Sequence, residues 1–148
     1  MKRTIPFILL LAGLSVLSGY LLSKASLIGR TGINLFYKQY KFLKVWWKGA
    51  SLVFVILLLL LIVQGIIENK ASKRTANLIH TIAIVIALAG LYFTYSDFRN
   101  TLSHRLLGER FHLGTYLFWA GWIMISLFYL LQPKKTKSIV TFRQPIAE

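Results

Sequence analysis

Glu109 and His112 stand three residues apart in the run Ser103-His104-Arg105-Leu106-Leu107-Gly108-Glu109-Arg110-Phe111-His112. On a helix, that step puts a carboxylate and an imidazole on one face. Di-iron carboxylate bundles use such a step twice, with two further glutamates. The whole chain holds 4 acidic residues, too few to supply that set with any to spare. The expectation is therefore a polar site without metal, formed by His104, Arg105, Glu109 and His112. In it Glu109 pairs with Arg105 or Arg110, and His112 sits at the water boundary.

His80 is the remaining histidine, and two histidines on neighbouring helices could clasp a haem. It lies near one end of its apolar run, whereas His104 and His112 precede the next run at the other end. Roughly a dozen residues of helix, at ~1.5 Å each, separate the two levels. One iron cannot span that distance. A haem held through His80 with another subunit is one redox alternative, and quinone is the other. Tyr92, Tyr95, Asp97, Arg99, His104 and His112 would supply rings and donors for quinone carbonyls, as any aromatic-rich membrane interface does. The plainer reading has a neighbouring carbonyl or hydroxyl satisfying His80. No Gly-x-Ser-x-Gly, phosphate loop or dinucleotide fingerprint occurs. The count of 0 cysteines removes disulfides, thiolate metal sites and thiol catalysis together. The chain reads as non-catalytic, with no cofactor expected.

The elements that must carry these residues are set by charge. From Arg3 to Lys24, Lys48 to Glu68, Arg74 to Asp97 and Arg110 to Lys134, no carboxylate, ammonium or guanidinium intervenes, and all 18 Lys and Arg lie outside the gaps. Each gap is long enough to cross a ~30 Å hydrocarbon core, where a charge costs ~2.5–3.5 kcal/mol or more. The predicted fold is an all-α membrane protein, a single domain over 1–148. Its four transmembrane helices, near 5–22, 50–67, 76–96 and 113–131, form an antiparallel bundle. Met1-Lys2-Arg3 followed by Ile5 to Leu17 has the form of a signal peptide, with Ser23-Lys24-Ala25 as a tolerable cleavage site. The apolar run continues to Leu22, however, past the usual ~7–15 residues of a secretory core, which favours a retained span.

Span three carries the most pattern. Ala76, His80, Ala83, Ala87, Gly90, Thr94 and Asp97 recur by alternating fours and threes and share one helical face. Small side chains there admit another helix closely, so this stripe is placed against the bundle centre. Span two has one markedly polar side chain, Gln64, and reads as lipid-facing over much of its surface. Trp119 and Trp122 of span four lie deeper than an interfacial belt and suggest packing against a partner.

Amphipathic interfacial helices are expected after spans one and three, near 34–48 and 97–107. In the first, Lys38, Lys41, Lys44 and Lys48 oppose a row of aromatics that includes Trp46 and Trp47. Rings would sink toward the acyl chains and lysines would meet phosphates. A basic tail fills 133–148.

The net charge of +14 is scattered over every loop and tail, among apolar runs that bring hydrophobic residues to 56% and mean hydropathy to +0.62. Anionic lipid headgroups fit that distribution better than nucleic acid. Four spans divide the bases nine and nine between the two sides, so a raw count does not orient the chain. Lys2 and Arg3 crowd the start of span one, which favours both termini in the cytoplasm and a multi-pass protein of the cell membrane. The function expected by elimination is an accessory or assembly subunit of a larger membrane complex, with other integral membrane subunits as partners. A redox subunit and an oligomeric channel or transporter are the alternatives.

Overall fold

The structure, a computed structural model, describes residues 4–24, 45–100 and 109–132. They form four helices: α1 Thr4–Ser23, α2 Trp46–Lys70, α3 Lys73–Asn100 and α4 Glu109–Leu130. All four are long and apolar enough to cross a membrane. A backbone in hydrocarbon has no water to bond, and a helix answers that need within each segment. The architecture is consistent with a multi-pass integral membrane protein.

The helices run past the charge-free gaps at several ends. α2 continues through Glu68 to Lys70, and α3 begins at Lys73, so the connection expected over Glu68 to Thr75 shrinks to Ala71 and Ser72. Ser72 makes this possible. Its Oγ accepts the Thr75 N–H at 3.2 Å, its carbonyl accepts the Ala76 N–H at 2.8 Å, and the Ala71 N–H closes α2 on the Ile67 carbonyl at 2.9 Å. A serine N-cap of this kind satisfies an otherwise orphaned donor and contributes about 1 kcal/mol. Trp46, Trp47 and Lys48 form the first turn of α2, and residues 97–100 belong to the last turns of α3. The rest of both expected interfacial segments lies outside the described residues, as does the tail.

α4 is the central element: α1 rests on α2 and α4, and α3 packs on α4 and meets α2 only narrowly. The core gathers Leu11, Leu22, Val53, Leu57, Leu61 and Ile125, with Phe7 and Phe128 stacked beside it at 4.2 Å. Small residues set the helix spacing. Gly19 lies directly on the main chain of Ala50, where a Cβ would collide with backbone atoms, and Gly114 meets Ser18 and Leu22 of α1. α2 is not lipid-facing all round: Ala50, Val53, Leu57, Leu61 and Gln64 form a buried stripe, while Leu52, Val55, Leu59, Ile62 and Ile66 stay exposed. α3 is the least covered helix, burying only Ala76, His80, Ala87 and Phe98 among its 28 residues.

Candidate functional site

Near the α2–α3 turn, three helices converge on His80, which is 0% exposed. The four-residue step on α2 sets Gln64 and Glu68 on one helical face, and both point at the imidazole. Nδ1 lies 3.0 Å from Gln64 Oε1, and Nε2 lies 3.3 Å from Glu68 Oε2. The Gln64 amide nitrogen donates to Ser126 Oγ of α4 at 3.0 Å, and Ser126 Oγ donates to the Trp122 carbonyl at 3.3 Å. Tyr129, also on α4, stacks on the imidazole with centroids 5.5 Å apart and donates its hydroxyl to the Leu61 carbonyl at 2.9 Å. Gly65 leaves the room that hydroxyl needs.

Each of these polar groups would cost several kcal/mol unbonded in hydrocarbon. Together they form a closed network, and the contact of His80 with Glu68 is part of it. Glu68 is only partly covered, its side chain 13% exposed. Both ring nitrogens of His80 are engaged. Ligating a metal or haem iron there would first require giving up the Glu68 or the Gln64 contact.

Of the other residues of the α3 stripe, Gly90 and Thr94 meet α4. Ala76 and Ala87 are fully buried, Ala83, Gly90 and Thr94 are partly buried, and Asp97 is exposed. Gly90 lies under the indole of Trp119, and the Trp119 Nε1–H donates to Thr94 Oγ1 at 3.1 Å, which donates on to the Gly90 carbonyl at 2.7 Å. Trp119 stacks in turn on Trp122 at 5.7 Å. Trp119 thus meets α3 of its own chain. Trp122 Nε1 is buried with no hydrogen-bond partner among the described residues.

At the opposite end, His112 stacks on Phe98 at 4.2 Å, and Tyr116 lies against Phe98 and Tyr95. The Arg99 guanidinium donates to the Tyr95 hydroxyl and sits over its ring. Glu109 opens α4, exposed, with Arg110 beside it. His104 and Arg105, the other two residues expected with Glu109 and His112, lie outside the described residues. Among the described residues no group of three His, Cys, Asp or Glu could hold a metal ion. Lys48 lies over Trp47, and Trp46 and Trp47 are both more than half exposed. Lys38, Lys41 and Lys44 are outside the described residues.

Sequence reasoning treated Gln64, Glu68 and His80 separately: a lone polar group in a lipid-facing span, a loop residue and a stripe residue. Two signals join them. Gln64 and Glu68 are four apart, and Gln64 and His80 each lie eight residues from Ser72, so a tight turn there sets them side by side.

No protein family, no curated protein and no solved structure matches this chain.

Proposed function

We propose that this chain is a non-catalytic integral membrane protein acting as an accessory or assembly subunit of a larger membrane complex. In this reading the four helices form an antiparallel bundle, with amphipathic segments in the interface after the first and third. Both termini face the cytoplasm, and anionic headgroups neutralise the basic loops.

The supporting observation is the division of α3 into two faces. One face spends its polar and small residues on α2 and α4 of the same chain. The other presents Leu78, Ile82, Val85, Ala89 and Tyr92 at helical spacing, all exposed. That outer face is smooth, apolar and long, the geometry that suits a further spanning helix. Because the Ala76-to-Thr94 stripe is taken up inside the chain, it is a poor candidate for the lining of an oligomeric pore. With both His80 nitrogens engaged, an axial haem ligand there is equally disfavoured.

Purification in mild detergent is expected to bring larger membrane subunits along with this chain. Val85→Trp should abolish that association while leaving the helical circular dichroism unchanged. A monodisperse monomer from the native membrane overturns the reading, and a Soret band in the purified protein would replace it with the redox one.

A further inference from the structure

The hydrogen bonds around His80 decide where its protons sit. Ser126 Oγ gives its hydrogen to the Trp122 carbonyl, so toward Gln64 it can only accept. The Gln64 amide nitrogen therefore faces Ser126, and its oxygen faces His80 Nδ1. An amide oxygen only accepts, which puts a hydrogen on Nδ1. One proton is then left to place, at the 3.3 Å contact between Nε2 and Glu68 Oε2. Either an imidazolium faces a carboxylate, or a carboxylic acid donates to a neutral ring. Both arrangements contain the same single proton, and both are neutral overall.

We propose that Glu68 and His80 form a proton-binding site that holds one proton between Glu68 Oε2 and His80 Nε2 and exchanges it with the water at the α2–α3 turn. Removing that proton would set a carboxylate against a ring lone pair. Adding a second would leave an uncompensated imidazolium at a 0% exposed position among three helices. The neutral, singly protonated pair is the state that the surroundings favour.

The described titratable groups facing the ring are Glu68 from α2 and Tyr129 from α4. The titratable residue of α1, Tyr20, lies at the other end of the bundle, next to Gly19 and its contact with Ala50. On α3 itself, Lys73 and Arg74 are exposed in the first turn. Exchange runs through Glu68, the partly open partner of the pair. Inward, the hydrogen bonds end on the Trp122 carbonyl, which has no proton to pass on. The site therefore opens to one side of the membrane, as a store or sensor of protons and not as a relay across it.

Nitrogen-15 NMR of the wild-type protein, labelled at histidine and held in phosphatidylcholine nanodiscs, tests this directly. His104→Gln and His112→Gln variants assign the His80 signals. Nδ1 should carry hydrogen at every pH, and Nε2 should change together with the Glu68 carboxyl stretch in the infrared, in one shared step. A bare Nδ1, or two independent steps for His80 and Glu68, overturns the proposal. Glu68→Gln should abolish the shared step, and its survival unchanged would equally overturn it. If that variant does not fold, the wild-type spectra decide alone.

Discussion

The two ends of the bundle hold histidine at different depths. At the α2–α3 turn, His80 is fully buried and works through its nitrogens, each held by a side chain from α2. At the far end, His112 is only partly buried and presents the flat of its ring to Phe98. Around it the packing depends on aromatic faces, on Gly19 against Ala50, and on Ser18 donating to the Gly114 carbonyl at 2.7 Å. Depth from water separates the two. A deeply buried ring must find partners for its polar atoms inside the protein, whereas one nearer the surface is under less pressure to do so.

Removing the deep partner should give the largest effect. An interhelical hydrogen bond in lipid averages only ~0.6 kcal/mol in double-mutant cycles, so the loss of bonds alone would make His80→Leu mild. The variant also leaves Glu68 without its partner, and if the pair is charged, breaking it costs about 3 kcal/mol or more. The partial exposure of Glu68 points to the lower end of that range. Unfolding in mixed dodecyl sulfate micelles should show this loss, and Glu68→Gln in the same background should recover part of it. If His80→Leu costs no more than the corresponding change at His112, the contrast between the two ends fails.

Gly19→Ala tests the packing end at its tightest point. The new methyl would meet main-chain atoms of Ala50, which cannot rotate away, so α1 and α2 must separate. Overpacking of this kind costs about 1–3 kcal/mol, readable by the same unfolding assay. Smaller still is the expected effect of His112→Ala, whose ring stacks on Phe98, a type of pair worth about 0.5–1.5 kcal/mol. It should lower the thermal midpoint slightly without altering the Glu68–His80 titration. A change in that titration would mean that the two ends are coupled.

Much of α3 was legible without coordinates. Its alternating fours and threes name a face, and Ala76, His80 and Ala87 on that face are buried while Leu78, Ile82 and Val85 are not. The role of Gln64 was harder to see. In a span whose other side chains are apolar, one amide reads as an exception, and only its position relative to Ser72 shows that it meets His80. Trp119 and Trp122 were likewise conspicuous, but a pattern along one helix does not say whether the neighbour belongs to the same chain. Gly90 supplies that answer by leaving space for the Trp119 ring.

The number and approximate positions of the apolar helices follow from sequence alone, because a charge within hydrocarbon is costly and the chain keeps all 18 of its bases outside four long gaps. Which polar side chains share a proton or a hydrogen bond was decided only by the tertiary arrangement. Those contacts act over about 3 Å, and their partners come from α2, α3 and α4, brought to that distance by a two-residue turn and by the approach of α4.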